Sequence, residues 1–300
     1  MTADVPQLIV VVGPTASGKS DFAVQLAQRH DAEIISADSV QIYRYFDIGS
    51  GKPTTRDLER VPHHLIGALD PLEEIDAAGF CERAASAIRA IHERRRRVIV
   101  CGGTFLWVRA LIWGLAEAPK ADEAIRDEHR QIAEQEGRPA LHVRLKDLDP
   151  KSYEKLNPND FVRVSRALEV YELTGQPISA IQASHGFREA RYPFRLIGLT
   201  HSGAELRCRI EARTRAMLDA GWLNEVRELN RRGYAEARAM QSVGYRQVHA
   251  ALNAQSSPDM EELTQAIVTA TWVFSRRQRT WLRDQPVEWL TPQDTARFEL

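Results

Sequence analysis

The sequence GPTASGKS at residues 13–20 decides the fold of this chain, because it follows the phosphate-loop pattern of glycine, four residues and Gly-Lys-Ser. The β-branched run at 8–12 directly before it predicts a buried strand, and apolar residues at helical spacing follow Lys19. A loop between a strand and a helix directs free backbone N–H groups and the positive end of the helix dipole at an anion. The stretch therefore predicts a parallel α/β core of the phosphate-loop NTPase kind that binds a di- or triphosphate. The residues predicted to hold the phosphates are Gly13, Thr15, Ala16, Ser17, Gly18, Lys19 and Ser20, and Ser20 is predicted to reach a phosphate-bound magnesium ion.

The composition indicates a globular protein of one or two domains. The chain has 300 residues with 43% hydrophobic residues, an ordinary fraction for this class. Lys and Arg number 40 against 41 Asp and Glu, so the net charge of −1 gives no indication of a nucleic-acid partner. No apolar run approaches the roughly 20 residues of a membrane span, and the N-terminus lacks the regions of a signal peptide. Cys81, Cys101 and Cys208 form no disulfide or metal pattern, so we expect a reducing cytoplasm and no membrane association.

Two further predicted strands end in polar or glycine-rich segments. Residues 33–37 precede Asp38-Ser39-Val40-Gln41, and ligands gather at the carboxyl ends of parallel strands. Asp38 is therefore expected near the phosphate loop, although a turn or cap role suits Asp equally well. The strand at 98–101 ends in Cys101-Gly102-Gly103, where ATP hydrolases usually carry an Asp that supports magnesium. This weakens an ATPase interpretation and indicates a close backbone approach to a ligand.

The remaining segments predict mostly helices. A helix is expected at 77–93, and the helical pattern at 116–191 without strand signals predicts an inserted all-helical domain. Strands are expected at 194–199 and 287–290. His63-His64 has no third ligand in view, so a structural role is favoured over a metal site.

Three basic segments have alternative interpretations. Arg94–Arg97 can bind RNA, but a solvated helix end, stabilised there by the dipole, is favoured. Arg209 and Arg213 lie one turn apart on the same face of a predicted helix. The run at 276–283 interleaves arginines with a tryptophan, which suits phosphates and stacked bases, or equally a half-buried helix with a solvated basic face.

Several motifs in this order resemble the tRNA dimethylallyltransferase family, whose members are also called tRNA isopentenyltransferases. The resemblance runs from about residue 8 to residue 283, nearly the whole chain. No zinc finger follows, so the resemblance is to the bacterial form of the family. The motifs are GPTASGKS at 13–20, DSVQIYR at 38–44, DIGSGKP at 47–53, PHHLIG at 62–67, GGT at 102–104, NPND at 157–160, RALEVYELTG at 166–175, GYRQ at 244–247 and RRQRTWLR at 276–283.

The resemblance implies a reaction, a cofactor and partners. A dimethylallyl group passes from dimethylallyl diphosphate to N6 of the adenine 3′ of the anticodon, in tRNAs that read codons beginning with U. The product is N6-isopentenyladenosine, and Mg²⁺ is the expected cofactor. The partners are the tRNA anticodon stem-loop and the diphosphate donor, and a monomer is expected. A phosphate-loop core at 1–115 and 192–300 carries the helical insertion at 116–191.

The resemblance also assigns roles to individual residues. Asp38 matches the proposed general base, and Thr104 matches the threonine beside the reacting adenine. Arg213 matches the second arginine of a RIxxR helix and would clamp the leaving diphosphate together with Lys19. Gln41 is expected to pair with the adenine edge. The residues predicted to contact tRNA are Asp38, Ser39, Val40, Gln41, Thr104, Arg126, Val162, Arg163, Arg166, Gly244, Tyr245, Arg246, Gln247, Arg276, Arg277, Gln278, Trp281 and Arg283.

Four positions depart from the family pattern. Phe105 and Trp107 replace a common Gly and Tyr, Val162 replaces a Gln, and Gly51 replaces the common Ala before Lys-Pro. These changes bear on the shape of the channel and on one tRNA contact. Two other functions stay open at this point: a small-molecule kinase related to shikimate or adenylate kinase, and a tRNA-binding regulator without catalysis.

Overall fold

A computed structural model describes residues 5–187, 189–254, 258–295 and 297–300 of the chain. Six parallel strands form one sheet in the order β3-β2-β4-β1-β5-β6. The strands are β1 (Leu8–Val12), β2 (Ala32–Ser36), β3 (His63–His64), β4 (Arg97–Cys101), β5 (Phe194–Leu199) and β6 (Glu288–Leu290). The α/β class and the parallel sheet predicted from the phosphate loop are confirmed. The short strand β3 was not predicted, because two histidines carry no strand pattern of their own.

Helices cover the sheet and make up the insertion. They are α1 (Lys19–Arg29), α2 (Thr55–Arg60), α3 (Ala77–Glu93), α4 (Phe105–Trp113), α5 (Glu123–Gln135), α6 (Arg138–Val143), α7 (Leu145–Leu148), α8 (Pro150–Lys155), α9 (Phe161–Thr174), α10 (Ile178–His185), α11 (Gly203–Asp219), α12 (Trp222–Arg231), α13 (Tyr245–Ala254), α14 (Met260–Leu282) and α15 (Pro292–Thr295), with a 3₁₀ turn at Arg238–Gln241. Within the described residues, no helix has the length and apolarity to cross a membrane.

Strand β1 lies at the centre of the sheet, and all five of its residues are buried. It pairs with β4 on one side and β5 on the other. The chain leaves β1 for β2 and β3, then returns to place β4 between β2 and β1. The carboxyl ends of β1, β4 and β2 are therefore neighbours, and ligands bind at such ends. This order brings the phosphate loop, Gly102–Thr104 and Asp38 to one edge of the sheet.

Apolar side chains fill both faces of the sheet. On one face, Phe22 and Leu26 of α1 pack with the strands and with Phe298 near the end of the chain. In the layer formed by α3 and α4, Phe80 stacks on Trp107 with ring centroids 4.6 Å apart. Trp107 is 4% exposed, so this departure from the family pattern adds to the core rather than to the surface.

The arginine run after α3 is only partly solvated. Arg94 donates from Nε and Nη2 to the carboxylate of Glu33 at 2.9 and 2.7 Å, and Arg96 lies 3.6 Å from the same group. His64 approaches it at 2.6 Å, which gives that histidine the structural role predicted for it. Glu33 is buried, and the hydrogen bond from Arg94 is the main reason that its pKa lies below its ordinary value. Arg94 is nevertheless exposed at the end of α3, as the solvated interpretation predicts, and its guanidinium also pairs with a buried carboxylate.

Residues 113–190 form a compact unit of their own, and residues 1–112 with 191–300 form the other unit. The smaller unit contains only helices, in the region predicted as an insertion at 116–191. Its core includes Leu141, Leu145 and Leu168. At Arg144 the chain divides into the short helices α6 and α7. Asp160 begins α9 by accepting a hydrogen bond from the Arg163 N–H at 3.3 Å.

Candidate active site

A cavity of about 400 Å³ opens at the edge where β1, β2 and β4 end. The phosphate loop lines one part of it, and Asp38, Ser39 and Thr104 line another. Apolar side chains from the later helices complete the wall, among them Met217 and Trp222. Pockets with a few polar groups in a mainly apolar wall are the usual form of a small-molecule site.

The phosphate loop is held by side chains that are far away in sequence. Ala16 has φ of 68°, and Gly18 at φ of 89° begins α1, so the loop turns its N–H groups inward at the start of the helix. Three later side chains reach this loop, each with a hydrogen-bonded distance of 2.8 Å. Gln278 accepts from the Thr15 N–H, Arg209 donates to the Ala16 carbonyl, and His201 contacts the Ser17 carbonyl.

Lys19 and Arg213 bring positive charge to this end of the cavity. Burial lowers the pKa of Lys19, and Arg213 lowers it further, while Cys101 and Asp38 act in the opposite direction. Burial also lowers the pKa of Arg213, although Asp38 and Asp21 favour its charged form. Two desolvated cations beside the N-terminal end of α1 form a strong site for a polyanion. Cys101 is a buried thiol there, and burial raises its pKa to about 11, so it is not the nucleophile that a low-pKa cysteine supplies.

Asp38 and Thr104 also line the cavity, joined through Ser39, and Asp38 is close enough to Lys19 and Arg213 to favour their charged forms. Asp38 Oδ1 accepts from the N–H groups of Val40 at 2.9 Å and Gln41 at 3.2 Å. This is the turn role that the sequence left open, but no hydrogen bond within the described residues engages Oδ2. Thr104 Oγ1 accepts from the Ser39 N–H at 3.0 Å. One carboxylate oxygen of Asp38 is therefore available for a proton, while the other fixes the turn.

The segment 47–51, which follows this wall in the chain, is held by one carboxylate. Glu225 accepts from the N–H groups of Asp47, Ile48 and Gly49 at 2.9, 2.6 and 3.2 Å. Tyr245 donates its hydroxyl proton to the same carboxylate at 2.6 Å. A Cβ at Gly51 would overlap the guanidinium of Arg213 and lie 3.1 Å from Met217 Cε. The absence of a side chain at residue 51 thus allows the arginine and the methionine to lie against the backbone.

The family model described as IPP transferase matches residues 41–285. The chain belongs to the IPP transferase family. It is 57% identical to the tRNA dimethylallyltransferase of Sorangium cellulosum over 284 aligned residues. The alignment covers 95% of this chain and 90% of the relative. The corresponding protein of Myxococcus xanthus is 45% identical over 94% of this chain and 91% of its own length.

Solved structures agree with this assignment. The full-length tRNA isopentenylpyrophosphate transferase of Bacillus halodurans superposes with a TM-score of 0.69 at 36% identity, over 95% of this chain and 89% of that one. A eukaryotic dimethylallyltransferase acting on tRNA gives 0.78 at 25% identity, over 95% of this chain and 74% of that one. The resemblance read from the motifs is confirmed.

The GYRQ motif of the family is mostly internal in this chain. Gly244 and Tyr245 are buried, and a Cβ at Gly244 would overlap the ring of Trp222. Gln247 accepts from the Gly244 N–H at 2.7 Å, so it caps its own turn. Arg246 is exposed and lines a shallow groove with Arg277. Of the four residues, the arginine has the accessibility that a tRNA contact requires.

The helix α14 has one face buried against the site and another exposed to solvent. Gln278 is buried and joins the Thr15 N–H to the Gly103 carbonyl, at 2.8 and 3.1 Å, so it is a brace within the site. Trp281 is 40% exposed, and Arg276, Arg277 and Arg283 are exposed as well. No ion pair links these three arginines to any residue that the structure describes. These guanidinium groups are therefore accessible to phosphates. The helix is also half-buried with a solvated basic face, as the alternative interpretation predicted.

Three other residues predicted to contact tRNA make hydrogen bonds inside the protein. The Gln41 amide donates to the carbonyls of Ser50 and Gly51 at 3.2 and 3.0 Å and accepts from Ser36, so its pairing with adenine stays a prediction that needs these bonds to open. In the helical unit, Arg126 and Arg166 both bond the buried carboxylate of Glu169, at 3.0 and 2.6 Å. Val162 and Arg163, by contrast, are exposed there, with Arg163 in a loose 3.5 Å pair with Asp160.

Gly102, after the third predicted strand, has a packing role as well as a place in the cavity lining. A Cβ at this position would overlap the Ala37 carbonyl group, so two backbones approach closely here, and the approach of this backbone to a ligand stays a prediction. At Gly103, a Cβ would lie 2.7 Å from Gln278 Nε2. The two glycines therefore allow neighbouring segments to pack together beneath the cavity.

Sequence patterns missed the residues that brace the site from a distance. His201, Glu225 and Trp222 have no motif of their own, and their partners lie far away in the chain. The spacing of Arg209 and Arg213, one turn apart on a predicted helix, was the local sequence signal that pointed to these supporting residues.

The donor set around Ser20 fits a magnesium ion. Ser20 is exposed at the start of α1 and lines the cavity, and its hydroxyl makes no hydrogen bond within the described residues. Magnesium takes hard oxygen ligands and commonly combines one or two protein oxygens with phosphate oxygens and waters. No group of three or more His, Cys, Asp or Glu suited to a metal occurs among the described residues. A metal here would therefore rest on the hydroxyl and on the bound phosphates.

Proposed function

We propose that this chain transfers a dimethylallyl group from dimethylallyl diphosphate to N6 of the adenine 3′ of the anticodon in tRNAs that read codons beginning with U. The observation that carries the proposal is one cavity with two unlike walls. A phosphate loop with Lys19 and Arg213 forms one wall, and Asp38 with a free carboxylate oxygen forms the other. The family to which the chain belongs supports this assignment.

The first wall suits the leaving group. When N6 attacks the allylic carbon, the carbon–oxygen bond breaks and its electron pair goes to the diphosphate. The N–H groups of the loop, Lys19 and Arg213 are already in place and need no reorganisation as that charge develops. A kinase would use the same loop for ATP, but β4 ends in Cys101-Gly102-Gly103 without the acidic residue that supports magnesium in the hydrolases.

The second wall suits the acceptor. The attacking amine must lose a proton, and Asp38 Oδ2 is the free acceptor at this wall. Thr104 stands beside it with a hydroxyl oriented by Ser39. A base that enters here must leave its stack in the anticodon loop, as in enzymes that flip bases.

Magnesium is proposed as the cofactor. Ser20 would hold it together with oxygens of the diphosphate, and it would neutralise part of the charge that the leaving group carries. The cation pair Lys19 and Arg213 would stabilise the same group, so the protein itself contributes two positive charges at this wall.

tRNA is proposed to approach along the surface that holds Arg246 and Arg277. Val243 and Phe274 line both this groove and the cavity, so the groove adjoins the cavity directly. We further propose that the protein works in the cytoplasm, since tRNA is its substrate and its three cysteines are free thiols. The monomeric state stays a prediction, which light scattering of the purified protein checks.

One incubation tests the proposal against its alternatives. The protein is mixed with magnesium, labelled dimethylallyl diphosphate and unmodified tRNA, with and without ATP. Transfer of label to tRNA without ATP is the expected result, and nuclease digestion should give labelled N6-isopentenyladenosine. A phosphate transferred from ATP to a metabolite would point to a kinase. Tight binding of tRNA with no transfer would point to a regulator.

A further inference from the structure

Trp222 occupies an unusual position in the wall of the cavity. Its side chain is 2% exposed and fills the space between the backbones of Gly49 and Gly244. A Cβ at either glycine would overlap the indole ring, at the pyrrole edge for Gly49 and at the benzene edge for Gly244. The ring of Tyr245 also meets it edge-on, with centroids 5.5 Å apart. The indole is therefore confined on several sides and acts as a rigid wall.

The neighbours of Arg213 show which substrate group this wall faces. Arg213 and Met217 are one turn apart on α11 and lie side by side against Gly51. Trp222 begins α12 and lies against Gly49, which precedes Gly51 by two residues in the same loop. A group bonded to a diphosphate that Arg213 holds would therefore meet the methionine first and the tryptophan next. Both side chains are apolar, as an aliphatic tail requires.

Another part of the cavity wall adjoins the groove proposed for tRNA. Phe274 lines both the cavity and the groove of Arg246 and Arg277, and it is 38% exposed. This aromatic side chain belongs to the entrance for the tRNA base. Trp222 and Phe274 thus face different substrates, which gives Trp222 a matched control in the same cavity.

We infer that Trp222 closes the far end of the tail pocket and restricts the donor to a five-carbon allylic diphosphate. The inference rests on the proposed function and adds the residue that sets donor length. The cavity of about 400 Å³ is near the lower end of the roughly 300–1,000 Å³ found for small-molecule sites, and it must hold the diphosphate, its tail and a base. A ten-carbon tail would have to displace an indole that two backbone segments hold in place.

The test is a change of donor preference in Trp222→Leu and Trp222→Phe. Transfer to tRNA is measured with dimethylallyl diphosphate and with geranyl diphosphate, and kcat/KM is compared for the two donors. One methylene in an apolar pocket changes such ratios by roughly 10–200-fold. We therefore expect Trp222→Leu to shift the preference towards the ten-carbon donor by about that factor, with a smaller shift in Trp222→Phe. Phe274→Leu should leave the preference unchanged.

The outcomes separate this inference from the function on which it rests. If the unaltered protein fails to transfer the five-carbon group, the proposed function and the inference both fall. If the five-carbon transfer is intact and neither Trp222 variant changes the donor ratio, the inference alone is wrong. An equal shift in Phe274→Leu would also overturn it, since cavity volume in general would then decide. Thermal unfolding of each variant identifies any loss of fold, and Trp222→Phe, which keeps an aromatic ring, then gives the decisive ratio.

Discussion

The two walls of the cavity are built in different ways. The donor wall is the phosphate loop with Lys19 and Arg213, and the acceptor wall is the part that carries Asp38 and Thr104. At the donor wall, hydrogen bonds from the side chains of His201, Arg209 and Gln278 hold the loop in place, and Lys19 is desolvated. At the acceptor wall, Asp38 shares its carboxylate between a turn and a free oxygen. The donor wall therefore binds a formed charge, whereas the acceptor wall receives a proton only when the reaction releases one. Variants of the first wall should affect donor binding and rate together, and variants of the second should affect rate alone.

The largest expected effect concerns Asp38. Asp38→Asn keeps an oxygen for the Val40 and Gln41 N–H groups but cannot take the proton, and Asp38→Ala loses both functions. Both should lower kcat by roughly 10²–10⁴-fold, the range for general acid–base catalysis. The Kd for dimethylallyl diphosphate should barely change, because the phosphate loop is untouched. Single-turnover kinetics and donor titrations measure the two quantities. If the Asn variant keeps near-normal turnover, Asp38 has only the turn role.

The next effect concerns Arg213 and the donor wall. Arg213→Ala should lower the rate by roughly 10²–10³-fold, the usual cost of removing one preorganised donor to a developing anion. Arg213→Lys should recover only part of it, because a lysine lacks the planar fork that grips phosphate oxygens. Donor affinity should fall in both variants. Arg215→Ala is the control on the same helix, since Arg215 is exposed and paired with Glu211 and Glu261. If Arg213→Ala and Arg215→Ala lower the rate equally, then the helix has a structural role and Arg213 does not clamp the diphosphate.

The two walls also differ in how well the sequence predicted them. The phosphate loop needs only local geometry, so its strand, turn and helix were located correctly from GPTASGKS. Asp38 was expected near the phosphate loop because ligands gather at strand ends, whereas Thr104 was assigned from the family resemblance. The order of the strands brings the two residues to the same edge of the sheet. The braces could not be predicted, because bonds such as Gln278 to Thr15 join residues 263 positions apart.

The arginine-rich segments also show what a sequence cannot predict about the environment of a charged side chain. Arg94–Arg97 and the run at 276–283 look alike in composition, and each had a functional and a solvated interpretation. In the fold, Arg94 faces the buried carboxylate of Glu33, whereas Arg277 has no acidic partner among the described residues. A sequence reveals the charges but not which of them tertiary contacts neutralise.

The third effect is a pH dependence at the donor wall. Burial is the main cause of the lowered pKa of Lys19, so this lysine loses its proton at a lower pH than an exposed one. Below that pKa the ammonium is present and pairs with the diphosphate; above it the charge is lost and donor affinity falls. We expect log Kd for the donor to rise with pH on the alkaline side, with a slope approaching one. Lys19→Arg keeps its charge over this range and should abolish the slope. A Kd that does not vary with pH in the unaltered protein would show that Lys19 stays charged.

The smallest effect concerns the approach of tRNA to the acceptor wall. With a net charge of −1, the protein as a whole does not attract RNA, so local arginines must provide the attraction. Each phosphate contact releases condensed counterions, and for single strands log affinity falls against log salt by about 0.7 per contact. Arg277→Ala should therefore flatten that slope by somewhat under one unit, and the double variant with Arg283→Ala should flatten it further.

Binding titrations at several salt concentrations measure this slope. Arg231→Ala is the matched control, because Arg231 is exposed but paired with Glu228 at 2.7 Å. Transfer at saturating tRNA should be largely kept in the Arg277 variant, since a phosphate contact positions the substrate and does not react. If the double variant keeps the original slope, the outer face of α14 is a solvated surface. The acceptor wall would then receive its tRNA through other residues, of which Arg246 in the adjoining groove is the first to test.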